Sequence, residues 1–463
     1  MNNHELQHLT IANAAERFRK GTLSPIQLME AIFERIDETE SKINAYVTIC
    51  REESLRQAKI AESQINSGVD LGTLHGIPIA IKDVIETEGI RTAAGSKIFS
   101  NFVPKQDATV IGRLKSGGAI IIGKTQAHEF ALDGPVPTRN PWNLDKIAGG
   151  SSSGSAAAVA ISSCLGALGT DTGGSIREPA SFCGLVGLKP TYGRVSKTGV
   201  IPASWSLDHV GPITKSVRDC ALILESISGY DRSDPASTNG RVSKFTADLD
   251  GEISNLRIGI PENYFFEEVD DEVLSTVRKA IQELEALGAQ TSSINFPMAP
   301  EIMDTYSKIL FSEVSAYHET FFRERSQDYS QEARSLIELG FFIPAVQYIR
   351  AQRLRGLLMK RVLELFVKVD LIVTPTLPII APNIGTTRVM INDIENDLGV
   401  TTRNLAPFNL LGLPAITLPC GFSIKGLPIG MQIIGRPFEE STLLRLSNCY
   451  EKATNWNDRS PVY

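Results

Sequence analysis

The sequence predicts an α/β fold: one large, mixed, twisted sheet covered by helices on both faces, preceded by an N-terminal helical segment. Three observations predict it. Short apolar runs such as IPIAI (77–81) and AIII (119–122) read as strands buried on both faces. Helix-like stretches separate such runs along most of the chain. The 463 residues, 42% hydrophobic and 21% charged, are enough for a large core.

The elements follow in order. Residues 1–70 read as helices. Ser24 is an N-cap followed by Pro25 at the first helical position, and a periodic run continues from Ile26 to Ile36. Residues 51–67 are helical and highly charged. The α/β domain is expected over 71–463 as one compact unit. Asp107 caps a helix that runs to about Lys115 and stops at Gly117 and Gly118. The small-residue run 155–163 reads as a helix packed closely on a sheet, and CLGALG (164–169) as a strand weakened by its glycines. A polar, Gly- and Pro-containing excursion covers 229–255. LRIGI (256–260) restarts the sheet. Helices are expected near 271–287, 301–325 and 344–366, and strands at 369–373, 415–419 and 429–434. A last helix starts near Glu440. The polar stretch 386–404 is expected to shape a pocket mouth.

Composition excludes several classes. The net charge is −7 with no Lys/Arg block, which argues against a nucleic-acid surface. No apolar run reaches membrane-spanning length. No early basic-then-apolar segment is visible, so a cytoplasmic location is expected. The six cysteines are scattered without a CxxC pair and read as reduced, buried thiols. The histidines number only six, and no metal is expected. Neither GxxxxGK[ST] nor GxGxxG stands in the right setting, so no nucleotide cofactor is expected.

The chemistry concentrates between residues 149 and 191. Ser151 and Ser175 each follow a Gly-Gly pair, 24 residues apart. Such turns expose a hydroxyl beside free backbone N–H groups, as acyl transfer requires of a nucleophile and an oxyanion hole. One motif of this kind is more often a turn with an N-cap serine. Two of them, with Lys82 ending an upstream apolar strand, outweigh that reading. No histidine stands in these motifs to take a proton. A lysine serves as base only when neutral, and burial lowers its pKa. Strand alternation sends Asp83 to the other face from Lys82.

These residues resemble the amidase signature hydrolases. The resemblance runs through IAIKD (79–83), GRLKSGGAIIIGKTQAHEFA (112–131), GGSSSGSAAA (149–158) and GTDTGGSIREPASFCGLVGLKPTYGRV (169–195). It continues more loosely through LDHVGPIT (207–214), VDLIVTPT (369–376), GLPAITLPCG (412–421) and GLPIGMQIIGRPFEE (426–440). It implies a Ser–cis-Ser–Lys triad: Ser175 as nucleophile, Ser151 as a relay on a cis peptide bond, and Lys82 as base. The oxyanion hole is expected from the N–H groups of Thr172, Gly173, Gly174 and Ser175. The family usually writes GGSSGGS, so Ser153 takes a glycine position here.

Other residues are weighed against plainer roles. Ser152 and Ser155 read as structural hydrogen-bonders, and Asp171 as a loop tie that accepts backbone N–H groups. Arg177 is a candidate to clamp a substrate carboxylate, against pairing with Asp171 or Glu178, which is favoured. Gln126 is a candidate pocket residue. His128 and His209 read as satisfied core histidines.

The expected activity is that of a free-standing amidase, cleaving a small-molecule carboxamide to a carboxylate and ammonia or an amine. No cofactor, nucleic acid or membrane is expected as a partner, and the N-terminal helices are the expected homodimer surface. The alternative is the glutamine-hydrolysing component of a tRNA-dependent amidotransferase. That component usually carries a tyrosine-rich stretch before a KAQ and an aspartate shortly before AGLPAISVP. This chain has GFFIPAVQYIRAQRLRG (340–356) and VTTRNLAPFNLLGLPAITLP (400–419). A catalytically silent scaffold on the same fold is the rival from another class.

Overall fold

The computed structural model describes residues 1–240 and 242–461. Among them, eleven strands pair into one mixed sheet. In chain order they are β1 (Tyr46–Ile49), β2 (Pro78–Lys82), β3 (Ile120–Thr125), β4 (Gly166–Asp171), β5 (Val186–Lys189), β6 (His209–Thr214), β7 (Arg257–Pro261), β8 (Gln290–Ile294), β9 (Leu371–Pro375), β10 (Ala415–Phe422) and β11 (Pro428–Gly435). Their order across the sheet is β1-β3-β2-β4-β6-β5-β10-β11-β9-β7-β8. β2 runs parallel to both β3 and β4. β4 is antiparallel to β6, and β10 to β11. Every residue of β2, β3 and β4 is buried, and each strand reads as an apolar or small-residue run that ends in polar residues.

The N-terminal segment differs from its expectation in one respect. It contains α1 (Ile11–Arg19), α2 (Pro25–Ile43) and α3 (Arg51–Asn66), but also the strand β1. β1 is antiparallel to β3 at the sheet edge. Its four residues, YVTI, are β-branched or aromatic but too few for alternation to stand out between two helices. Ser24 caps α2 with a full capping box to Gln27, and Pro25 opens the helix. Leu6, Ile11, Phe18, Leu28 and Ile32 belong to the same apolar cluster as β2 and β4. The Asp219 carboxylate on α6 (Val217–Ile227) also accepts the N–H groups of Ile11 and Ala12, at 2.9 and 3.1 Å, and so ties α1 to the main body.

Two short helices flank the serine motifs: α4 (Ser153–Ala160) and α5 (Arg177–Phe182). The small residues of α4 have a steric reason. A Cβ on Gly154 would fall 2.2 Å from the Ala45 carbonyl oxygen and 2.4 Å from the Gln126 amide nitrogen. The helix therefore rests directly on the backbone beside β1 and β3. Farther along, α7 (Ile302–Arg325) and α9 (Ala345–Leu365) pack around a second apolar cluster containing Phe265, Phe296, Tyr306 and Phe408, while Ala333 and Ile337 of α8 (Gln331–Phe341) belong to the main cluster. No helix among the described residues is long and apolar enough to cross a membrane.

Candidate active site

Lys82 ends β2 and is fully buried. Its Nζ donates to Ser151 Oγ at 2.7 Å and to Thr170 Oγ1, on the neighbouring strand β4, at 2.8 Å. Burial pulls its pKa down to about 7, against the opposing pull of the Asp171 and Asp208 carboxylates. Asp83 faces the other way: its carboxylate accepts the Ala93 N–H at 3.1 Å and lies near Lys124. Lys82 is thus spared the pull of its sequence neighbour Asp83, and Asp171 and Asp208 alone oppose the effect of burial. The Gly150–Ser151 peptide bond is cis.

The loop from β4 into α5 carries Ser175. Asp171 organises it, accepting from Gly174 N–H at 2.8 Å and Ile176 N–H at 3.1 Å. This corrects part of the expected oxyanion set. The Gly174 N–H is committed to Asp171, whereas those of Thr172, Gly173 and Ser175 have no acceptor among the described residues. Thr172 is fixed by its hydroxyl, which donates to Asp208 Oδ1 at 2.6 Å. Asp208 also takes the N–H groups of Ala203 and Ser204, and burial raises its pKa to about 6. The Tyr306 hydroxyl abuts Gly173, where an added Cβ would fall 2.1 Å from it. A side chain at position 173 would collide with α7, so the loop needs glycine there.

Arg177 pairs with Asp171, the reading favoured from the sequence, and is not free to act as the alternative substrate clamp. It is fully buried and turned inward, with Nε and Nη2 donating to the two Asp171 carboxylate oxygens at 3.1 and 3.0 Å. Asn409 Oδ1, the Leu405 carbonyl and Gln432 Oε1 accept its remaining donors at 2.6, 3.1 and 3.1 Å. The guanidinium holds the Asp171 carboxyl far below the usual carboxylate range despite burial. Arg177→Ala would leave that carboxylate buried without its cation, and the expected cost is about 3–5 kcal/mol. Urea unfolding measures it. A variant as stable as wild type, altered only in KM, would return Arg177 to substrate binding.

The other sequence readings find these places. Ser152 Oγ donates to the Thr170 carbonyl at 3.2 Å, and Ser155 Oγ to the Leu168 carbonyl at 3.1 Å, both structural bonds onto β4. Ser153 Oγ is buried without a partner among the described residues. His209 is held at Nδ1 by the Leu207 and Asp171 carbonyls. Gln126 is half-buried beside α4, its carbonyl accepting the Gly154 N–H at 3.1 Å. His128 packs against the peptide that presents Ser151. Its N–H donates to the Ser151 carbonyl at 3.2 Å, and its ring covers Gly150, where an added Cβ would fall 2.2 Å from Cε1. The TQAHEF segment directly after β3 was the available signal.

The arrangement couples a desolvated lysine to a serine hydroxyl, and the Gly150 N–H, directly before that serine, reaches Glu178, three residues beyond Ser175, at 3.2 Å. The amidase family model matches residues 27–444, which is most of the chain. The chain belongs to the amidase signature family. It is an amidase, a hydrolase of linear carbon–nitrogen amide bonds. The chain is 40% identical over 487 residues to the A subunit of the glutamyl-tRNA(Gln) amidotransferase from Roseiflexus sp. (strain RS-1), covering 98% of each. Among solved structures it resembles a chain from a study of a vestigial protein complex and the evolutionary origins of an s-triazine catabolic enzyme. That match has a TM-score of 0.92 at 32% identity and covers 96% of this chain and 99% of that one. It also resembles the corresponding glutamyl-tRNA(Gln) amidotransferase subunit from Thermotoga maritima, with a TM-score of 0.80 at 34% identity over 96% and 95% of the two chains. The relatives' names favour the amidotransferase subunit over the free-standing amidase expected from the sequence.

Proposed function

We propose that Ser175 attacks the amide carbonyl, that Ser151 carries its proton to Lys82, and that the N–H groups of Thr172, Gly173 and Ser175 hold the oxyanion. The observation that carries this reading is the 2.7 Å bond between a fully buried Lys82 and Ser151 Oγ. Lys82, once protonated, returns the proton through Ser151 to the leaving nitrogen. Ammonia or an amine departs, an ester remains on Ser175, and water activated by the same pair releases the carboxylate. Each N–H aimed at the oxyanion is worth about 3 kcal/mol in the transition state.

Of the two finer readings, we adopt the amidotransferase type: a cytoplasmic, glutamine-hydrolysing subunit that supplies ammonia to a partner. It rests on 40% identity over 98% of both chains to a subunit of that name. The free-standing amidase remains the second reading because of one specific feature. The segment before GLPAITLP, expected at the pocket mouth, carries Thr401 and Thr402 and no aspartate between 398 and 411.

The two readings are separated by assaying ammonia release from glutamine with the isolated chain, and again with partner proteins recovered from its own cell extract. The amidotransferase reading expects co-purification and a rise in turnover of roughly tenfold or more on assembly. Full turnover by the isolated chain, on amides other than glutamine, would establish the free-standing enzyme instead.

A further inference from the structure

Arg355 lies in α9, and its guanidinium joins two segments that hold the nucleophile loop at different residues. Nη2 and Nη1 donate to the carbonyl and the hydroxyl of Ser206, at 2.9 and 3.1 Å, and Nε donates to the Leu410 carbonyl at 2.6 Å. The first segment is the turn 203–208. The N–H groups of Ala203 and Ser204 reach the Asp208 carboxylate at 3.0 and 3.1 Å, and Asp208 takes the Thr172 hydroxyl. Glu313, fully buried on α7, braces the same turn. Ser204 Oγ and the Ser206 N–H donate to its Oε2 at 2.5 and 3.0 Å, and Ser206 Oγ and the Tyr348 hydroxyl to its Oε1 at 2.7 and 3.0 Å. Glu313 and Arg355 therefore meet at the Ser206 hydroxyl, which donates to one and accepts from the other.

The second segment is the short helix Ala406–Leu410, which Leu410 closes. Asn409, directly before Leu410, donates through Nδ2 to the Asp171 carbonyl at 2.9 Å and to Asp171 Oδ1 at 2.8 Å. Asp171 in turn holds the Gly174 N–H. Leu405, just ahead of this helix, packs on Gly174, where an added Cβ would fall 2.3 Å from its Cδ1. One guanidinium thus spans the support of Thr172 and the support of Gly174, on the two sides of Gly173.

We propose that Arg355 is a positioning residue for the oxyanion hole. By fixing the 203–208 turn against the 406–410 helix, it sets the spacing of the Thr172, Gly173 and Ser175 N–H groups. The inference rests on the acyl-transfer mechanism proposed above and adds to it a residue that touches neither the substrate nor the reacting atoms. A guanidinium suits the task because its donors form a planar, rigid fork. A lysine ammonium is a single point on a flexible stem and does not hold both segments at one spacing. Misplacing reacting groups by about 1 Å costs roughly 100-fold in rate.

The test is Arg355→Lys in the full chain. It is assayed for ammonia release from glutamine and for the rate at which a fluorophosphonate labels Ser175 with loss of fluoride, a step that draws on the same N–H donors. kcat and the maximal labelling rate should fall together by roughly 30- to 100-fold. KM and the half-saturating probe concentration should stay within about threefold, and the acid limb should keep its wild-type midpoint, because the Lys82–Ser151 pair is untouched. Thr172→Val frees the loop from Asp208. Combined with Arg355→Lys, it should lose little beyond the larger single loss, since both act on the same donors. A residue that only anchors α9 would lower the urea midpoint and leave kcat and labelling unchanged. That result, a loss confined to KM, a shifted acid limb or fully multiplicative losses would overturn the proposal. If Arg355→Lys does not fold, Ser206→Ala decides, because it removes the hydroxyl at which Glu313 and Arg355 meet. It should show the same loss in kcat alone, at about tenfold, and an unchanged kcat would overturn the proposal. Where glutamine is not cleaved, labelling carries the comparison. Each of these failures leaves the amidase reading intact, whereas a wild type that neither releases ammonia nor is labelled would remove both.

Discussion

Ser175→Ala is expected to abolish amide hydrolysis and leave the fold unchanged. The loop that carries it is held from outside the residue: Asp171 takes the Gly174 and Ile176 N–H groups, and Asp208 takes the Thr172 hydroxyl. Removing the Ser175 hydroxyl disturbs none of these bonds. No other hydroxyl stands at the point of the turn in DTGGSIR; Thr172 Oγ1 is already donating to Asp208. The loss should be on the order of 10⁴-fold or more in kcat, because nucleophile and relay act as a unit and the oxyanion donors alone leave only residual catalysis. Steady-state ammonia release reads the loss. Mass spectrometry of the wild type with a slow substrate should find the acyl ester on Ser175. An adduct on a cysteine, or near-normal turnover in the alanine variant, would refute the assignment.

The parts of this site that were legible in the sequence are those whose geometry is local. A Gly-Gly-Ser turn, an apolar strand ending in lysine and the alternation that turns Asp83 away each occupy a few consecutive residues. Arg177 was ambiguous because its partners Asn409 and Gln432 lie more than 230 positions away, on elements that reach it only once the sheet has formed. The contact made by His128 was hidden for a similar reason. Its neighbour Gly150 is 22 residues on, and contact depends on the absence of a Cβ there.

The fold shows the same division. The buried strands β2 and β3 announce themselves as apolar runs. β5 and β6, VGLK and HVGPIT, carry glycine or proline, which weakens a strand pattern. β8, QTSSI, is a largely exposed edge strand without an apolar face to detect. Sheet pairing supplied what these segments' own sequences do not specify.

Lys82 carries the other large expected effect, and its protonation sets the pH dependence. Burial depresses its pKa from the ordinary lysine value to about 7. The neutral amine, the form that can take a proton from Ser151, therefore predominates above that value. Turnover should fall about tenfold per pH unit below about 7, and level off above it. Lys82→Ala and Lys82→Met should each cost roughly 10³- to 10⁵-fold in kcat. The methionine variant fills a similar volume, so circular dichroism can separate lost chemistry from lost structure. Ser151→Ala should cost less, because water can replace part of the relay. Lys82→Arg is the deciding variant. It keeps a positive charge and several donors near Ser151 and Thr170, but a guanidinium does not release its proton in this pH range. It should be as inactive as Lys82→Ala, and its residual rate should lose the acid limb. If Lys82→Arg retains most of the activity, or the limb persists without the lysine, then Lys82 supports the site electrostatically and the base lies elsewhere. His128, already against Gly150, would be the first residue to test.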